Sequence, residues 1–571
     1  MRADTTRLRV LWLLAVALLL ATSVWGRLVY WQLVQHQRLV ELAAAYHVAR
    51  VALPATRGTI YDRDMKPLAI NTTVYDVTLA PGSVPPGSRG RVADELARTL
   101  GLARGDVLSL LESGQPFAYV GKREPKQVAD QLRQLALPGV GLDPQADRTY
   151  LPGGRPDVSM ASSLLGFVDY AGHGQEGIEQ WYDGQLAGHA GSVVAYRDSL
   201  GRQIQAAGQT RQDPVDGSDL VLTIDSSVQY AAEQAIAAGV QANHATSGSV
   251  IVMDSRTGAI AAWASYPAYD ANQFVKTDPS HFRDPILSSI YEPGSVMKVV
   301  TLSGALDRGR ITPDTTFDDP GYVVVAGTTL SDWDHRDHGV VTMTNVLESS
   351  LNVGAVYAER AEGQAAFLHY LDAFGFGRRT GIDVADETAP ALRSRWGPTE
   401  LATTSYGQGV AVNMVQMVAA ANVVANQGRW VQPYVAERIG NTVPSRPAPR
   451  QVISPQTAAT MTGMMESVVQ HGSGYLARVS GFEQDEAGKT GTSNMPDLVH
   501  GGYTSDVWAS YVGFLPADDP QFTMLVVVTA PHNGSSDHDE GYYVSGPIWK
   551  SIAEQIVADW RITPGPPGSS N

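Results

Sequence analysis

Only one stretch of this 571-residue chain is long and apolar enough to cross a bilayer, and it lies at the N-terminus. Val10 to Gly26 carries no charge and is rich in Leu, Val, Ala and Trp, with Arg2, Arg7 and Arg9 ahead of it. The run falls slightly short of the ~20 residues that a span wants. Leu28, Val29, Leu33 and Val34 lengthen it if Arg27 snorkels. A cleavable leader wants small residues after the apolar run, but Thr22-Ser23-Val24-Trp25-Gly26 places bulky groups there. The expectation is an uncleaved anchor over residues 10–34. The positive charges keep residues 1–9 in the cytoplasm and put the body outside the membrane.

The body must then fold in water. Its 43% hydrophobic and 18% charged residues suit a globular protein and not a disordered one. A formal net charge of −16 argues against a nucleic-acid partner, which would need a basic face. The absence of cysteine removes disulfides, zinc–thiolate sites, iron–sulfur clusters and thiol nucleophiles. Lysine occurs only at 66, 122, 126, 276, 298, 489 and 550, so nearly all the positive charge is arginine. Arginine keeps its proton at working pH, which makes those few lysines the candidate amine bases.

Past the anchor, residues 35–50 read as a helical extension ended by Pro54. Val74–Leu79 alternates as a strand and stops at Pro81-Gly82. Helical faces recur at Val92, Leu96 and Leu100, then at Val107, Leu110 and Leu111. A polar, Gly-rich stretch over 184–217 leads to a domain boundary near Asp219. Beyond it, Ser249–Met253 and Ala259–Trp263 flank Asp254–Gly258 as a hairpin, and Phe522–Val528 is a strongly β-branched strand. Strands at both ends with helices between them indicate an α+β domain.

Three short motifs carry the chemistry. The first is Ser295-Val296-Met297-Lys298, behind Pro293-Gly294. On a helix, residues three apart share a face, so Ser295 and Lys298 would touch. A serine hydroxyl needs a neighbouring base, and a desolvated lysine can serve. A chance Ser-x-x-Lys on an amphipathic helix is the bland alternative. The second is Ser350-Leu351-Asn352: either a proton relay with an amide that grips a peptide group, or a cap or turn. The third is Lys489-Thr490-Gly491-Thr492. It is either an edge strand, on which an extended substrate adds while the lysine and threonines hold a carboxylate, or an ordinary turn.

In this order the trio resembles the signature of the penicillin-recognising serine enzymes. The chain as a whole is similar to class B penicillin-binding proteins. The likeness includes Arg57–Arg63 with Leu68-Ala69, Gly166, Gly174–Glu179 and Leu186–Gly188 in the pedestal. It continues through Leu222–Asp225 with Gln229, Gly407–Gly409 with Gln416, and Trp508–Phe514. No glycosyltransferase region precedes the pedestal, which sets aside the bifunctional class A.

The resemblance implies an α+β fold: a transmembrane helix, a β-rich elongated pedestal or dimerisation domain over 35–218, and a transpeptidase domain over 219–560. The latter would be an antiparallel sheet flanked by helices, like the serine β-lactamases, followed by a disordered tail over 561–571. The implied activity is cross-linking of peptidoglycan stem peptides by a serine D,D-transpeptidase through an acyl-enzyme on Ser295. Lys298 would be the base and Ser350 the relay, with Asn352, Lys489, Thr490, Gly491 and Thr492 binding substrate. Backbone N–H groups of Ser295 and Thr492 would form the oxyanion hole. β-Lactams would acylate Ser295.

Tyr291–Ser295 and Arg57–Ile60 look more like the septal, division-specific branch than the elongation branch. The implied partners are a polytopic glycan polymerase of the shape, elongation, division and sporulation family, together with other divisome proteins. A D,D-carboxypeptidase and a non-catalytic scaffold or β-lactam sensor are the rival readings. The middle motif departs from the Ser-Asp-Asn of class A β-lactamases, and Glu387 and Glu400 do not sit in a deacylation context, so β-lactam hydrolysis is not expected. No cofactor or metal is expected. Asp332–His338, and His532 with Asp537–Glu540, lack zincin spacing and read as solvated loops.

Overall fold

The structure is a computed structural model and describes residues 2–39, 48–197, 203–204, 211–534 and 540–565. The chain divides into two compact units, 1–57 with 188–217 and 58–187 with 218–571.

In the first unit, Arg2–Val29 is one helix that runs on through a wider turn, Tyr30–Val34. Its residues 7–34 are long and apolar enough to span a membrane. Leu11, Leu13, Leu18 and Leu19 stand exposed, as lipid-facing side chains do. The Thr22 hydroxyl donates to the Leu18 and Leu19 carbonyls and is satisfied within the helix. Val48–Leu53 pairs antiparallel with Gly191–Arg197, which also pairs with Arg211–Gln212. Residues 48–50 are therefore strand and not helical extension, because a partner far along the chain decides their state.

The second unit contains two large sheets. One joins the strands Ile60–Tyr61, Pro67–Leu79, Ala118–Glu124 and Val140–Tyr150 to Leu220–Leu222 and Ala436–Ile439. Val77, Leu79, Val92, Leu96, Val107 and Leu111 form a core beneath it, on the helical faces expected from the sequence. Between 58–187 and the rest of the unit, Ile60, Leu164, Phe167 and Ile178 share one apolar core with Leu222, Trp263 and Tyr269, and polar contacts flank it. Asp62 accepts from the Ser226 hydroxyl, and Arg63 pairs with Asp225 while lying over the Trp560 ring. Arg148 bonds Glu179 at 2.8 Å and the Gly58 carbonyl at 2.8 Å, so two distant pedestal motifs meet on one buried arginine.

The other sheet has five antiparallel strands: β1 (Ser247–Asp254), β2 (Ile260–Tyr266), β3 (Ala487–Pro496), β4 (Tyr503–Leu515) and β5 (Phe522–Thr529), in the order β2-β1-β5-β4-β3. Successive strand residues point to opposite faces, and both faces are covered. Val250, Val252, Met524 and Val526 pack on helices α1 (Ser226–Ala242) and α6 (Ser545–Trp560). Ile251, Met253, Leu525 and Val527 join the core of α2 (Lys298–Asp307), α4 (Met414–Ala425) and α5 (Pro455–His471). Every residue of α4 is buried, Gln416 and Asn422 among ten apolar residues. Residues 561–565 are held in place, the Gly565 N–H donating to Asp485, and 566–571 lie outside the described residues.

Candidate active site

Gly294–Met297 forms a 3₁₀ turn that runs into α2 at Lys298. Residues i and i+3 eclipse in such a turn, which lays Lys298 directly over Ser295. Lys298 Nζ lies 3.0 Å from Ser295 Oγ and is fully buried, while Ser295 is half-buried and reachable.

Ser350 and Asn352 close the site from a second side. Ser350 links the helix Met343–Glu348 to helix α3 (Asn352–Glu362) and has φ of 58°, uncommon for a non-glycine residue. This turn aims its carbonyl at Lys298 Nζ and puts its Oγ 3.3 Å away. Asn352 Oδ1 accepts from Lys298 Nζ at 2.9 Å, and its Nδ2 donates to the Ser331 carbonyl at 3.0 Å.

Strand β3 supplies the third side and lies at the edge of its sheet. Lys489 Nζ is buried and donates to Ser350 Oγ at 3.0 Å, so Ser350 Oγ sits between two lysine amines. Thr490 Oγ1 donates to Ser473 Oγ at 2.9 Å. Gly491 lets β3 approach the serine turn, since a side chain there would meet the Pro293 carbonyl at 2.8 Å. Thr492 Oγ1 accepts from the Gly541 N–H at 3.2 Å.

Burial first, and Lys489 second, hold the Lys298 amine well below the ordinary lysine range, while Asp332 and Asp319 pull it upward. Burial pushes Lys489 down to about 7, against the pull of Glu540. A neutral amine has two hydrogens and one lone pair. The Ser350 carbonyl and Asn352 Oδ1 can only accept, so they take the two hydrogens. The lone pair is left for the Ser295 hydroxyl, which is the geometry of a general base poised on its nucleophile.

Residues 248–554 match the penicillin binding protein transpeptidase domain family, and residues 52–222 the penicillin-binding protein dimerisation domain family. The chain is a class B penicillin-binding protein. It is 32% identical to penicillin-binding protein PbpB of Mycolicibacterium smegmatis over 90% of this chain and 85% of that one. It is 28% identical to peptidoglycan D,D-transpeptidase FtsI of Escherichia coli over 97% of this chain and 91% of that one. Among solved structures, penicillin binding protein 3 of Mycobacterium tuberculosis complexed with aztreonam superposes with a TM-score of 0.70 at 26% identity, covering 90% of this chain and 99% of that one.

In this penicillin-binding protein the remaining segments picked out by resemblance take different places. Trp508–Phe514 pairs with β3, Lys489 opposite Val512 and Gly491 opposite Ser510. Gly407 packs on the serine turn, its carbonyl accepting from the Gly294 N–H at 3.1 Å. Gln416 does not line the site: it forms a capping box with Asn413 and donates to the Arg378 carbonyl. Glu387 is occupied by Thr380 and Gly381, closing its own loop.

Asp332 is not in a solvated loop. It is 1% exposed, and its Oδ1 accepts from the Asn352 and Val353 N–H groups, capping α3 from another part of the chain. Asp332 thus sets a buried carboxylate against Ser350-Leu351-Asn352, whose own central residue is apolar. Ser473 and Glu292 also border the site. Glu292 accepts at its carbonyl from Ser493 Oγ and at its carboxylate from the Tyr503 hydroxyl, tying the serine turn to β3 and β4. Nothing local in the sequence marks Ser473 or gives Asp332 its capping role, and Glu292 is marked only as part of Tyr291–Ser295. Asp537, His538 and Asp539 lie outside the described residues.

Proposed function

We propose that this chain is a serine D,D-transpeptidase that cross-links peptidoglycan stem peptides on the outer side of the cytoplasmic membrane. The observation that carries the reading is Lys298 Nζ, buried and 3.0 Å from Ser295 Oγ, with its other contacts directed at oxygens of Ser350 and Asn352. Ser295 Oγ attacks the carbonyl carbon of the penultimate D-alanine while its proton passes to Lys298 Nζ. The backbone N–H groups of Ser295 and Thr492 hold the resulting oxyanion; one such donor is typically worth ~2.7–4 kcal/mol. The C–N bond then breaks, and the terminal D-alanine leaves with the proton, relayed through Ser350 Oγ. The amine of a second stem peptide attacks the Ser295 ester and regenerates the hydroxyl. Asn352 orients the donor peptide, Lys489, Thr490 and Thr492 hold its carboxylate, and Gly491 keeps the strand close.

A β-lactam acylates Ser295 in place of the stem peptide. Residues 35–218 act as the pedestal and 219–560 as the catalytic domain, a division supported by the family matches over 52–222 and 248–554. Tyr291-Glu292-Pro293-Gly294-Ser295 and the likeness to FtsI support a septal role, with a polytopic glycan polymerase and other divisome proteins as partners. Positive charge ahead of the span supports a single-pass, body-outside orientation.

The test is mass spectrometry of the full chain after incubation with a penicillin. One adduct on Ser295 is expected, and none in Ser295→Ala; equal labelling of that variant would sink the reading. Turnover with a second stem peptide separates transfer from hydrolysis. Filamentation on depletion is the expected septal phenotype.

A further inference from the structure

Two acids outside every motif stand behind Ser350 and Asn352. Asp319 ends the strand Thr316–Asp319, and Asp332 follows the strand Thr328–Ser331; they are 0% and 1% exposed. The chain is clamped around them, with the Asp332 N–H donating to the Gly321 carbonyl at 3.0 Å and the His338 N–H to the Asp319 carbonyl at 2.9 Å. One oxygen of each acid is in use. Asp319 Oδ1 accepts from the Gly321 N–H at 3.0 Å, and Asp332 Oδ1 accepts from the first two N–H groups of α3. The Oδ2 of each is buried with no donor among the described residues. The Gly321 backbone bridges them, its N–H on Asp319 Oδ1 and its carbonyl on the Asp332 N–H, so the two acids flank a single residue. Two ionised carboxylates in that position would repel, and both orphan oxygens would lack a partner. A single proton between them removes both defects.

We propose that Asp319 and Asp332 share one proton, donated by Asp319 to Asp332, and that the pair positions the Ser350–Asn352 segment around Lys298. Asp332 already accepts two backbone N–H bonds and Asp319 one, so the proton belongs with Asp319. Through Asp332 the pair holds the first turn of α3 and with it Asn352, whose Oδ1 fixes one hydrogen of Lys298. Both acids are positioning residues, and the proposal rests on Ser295 being the acylated nucleophile.

The pair also faces titratable groups on each side: Lys298 from α2, His338 with its partner Asp334 from the same segment, and Tyr406 after the helix Pro398–Ser405. Lys489 acts on Lys298 in turn. Burial, and then the Asp332 charge, raise the Asp319 carboxyl to about 6, against the Gly321 N–H, which lowers it. Above that pH a second negative charge appears behind Lys298 and favours its protonated, non-basic form. Asp319→Asn replaces the shared proton with an amide N–H that never ionises.

The experiment measures acylation of the full chain in detergent by a fluorescent penicillin, across about pH 5 to 8. It compares wild type, Asp319→Asn, Asp319→Ala and Asp332→Ala, alongside thermal unfolding and infrared spectra of the protonated carboxyls. Asp319→Asn should stay within a few-fold of wild type and lose the component of the profile that titrates near 6. The two alanine variants should lose on the order of 100-fold, the usual consequence of a misplaced catalytic group. The infrared spectrum of Asp319→Asn should lack one protonated-carboxyl band that wild type shows at the acid end.

The proposal is overturned if Asp319→Asn is as slow as Asp319→Ala, if Asp319→Ala matches wild type, or if the band persists. Should the alanine variants not fold, Asp319→Asn and its spectrum decide. Should wild type carry no label on Ser295, the transpeptidase reading fails, and the spectrum alone decides the shared proton.

Discussion

Gly407→Ala probes whether backbone contact alone holds the nucleophile in place. Gly407 has φ of 83°, and a methyl group added there would lie 2.0 Å from the Gly294 carbonyl oxygen and 2.6 Å from its nitrogen. The left-handed conformation costs a non-glycine residue about 1–2 kcal/mol. The clash adds more, because ordinary contact begins at 3.4 Å. One backbone must move by about 1.4 Å, and a misplacement of ~1 Å costs on the order of 100-fold in rate. Gly294 precedes Ser295, so the shift falls on the 3.0 Å contact between Ser295 and Lys298. Gly309→Ala is the matched control, with φ of 61° and open space where the methyl group would go. Both variants should lose thermal stability from the left-handed backbone, Gly407→Ala the more because of its clash. Only Gly407→Ala should lose acylation by a fluorescent penicillin, by about two orders of magnitude. If the two variants acylate alike, the contact does not position Ser295 and the reasoning is refuted.

Other consequences can be checked as directly. Lys298→Arg puts a permanent cation where a neutral amine is needed and cannot accept a proton, so acylation should fall by about 10²–10⁴; a near wild-type rate would exclude Lys298 as the base. Burial raises the Glu486 carboxyl to about 8, against bonds from the Val479 N–H and the Tyr511 hydroxyl. A raised acid contributes stability that is present at low pH and lost as pH rises from its ordinary 4.5 through about 8. Glu486→Gln should therefore flatten that decline and gain stability at the alkaline end, read by denaturant unfolding against pH. Arg148→Ala takes the guanidinium away from the buried Glu179 carboxylate, which keeps the Tyr150 hydroxyl, and should cost about 3–5 kcal/mol in denaturant unfolding. The folded fraction should still acylate at Ser295.

The side chains that meet around Lys298 and Ser350, namely Ser295, Asn352 and Lys489, were legible in the sequence because each motif is local. Ser295 and Lys298 are one turn apart, Ser350 and Asn352 two residues apart, and Lys489 to Thr492 contiguous. The strand hairpin at 249–263 and the apolar faces at 92–111 were legible for the same reason, since period 2 and period 3.6 repeat within a few residues. The apolar N-terminal helix was legible because the length of an apolar run is itself a local quantity.

Tertiary structure alone decided the rest. It placed Asp332 on the first turn of α3, buried Asp319 behind the same turn, set Ser473 against Thr490, and brought Gly58 and Glu179 together on Arg148. It also joined residues 58–187 to the catalytic sheet's side of the chain through Leu220–Leu222, and kept Gln416 out of the site. Each of these depends on groups that burial brings together from distant parts of the chain. A buried polar atom must find a partner wherever the packed core offers one, and no short sequence pattern records where that is.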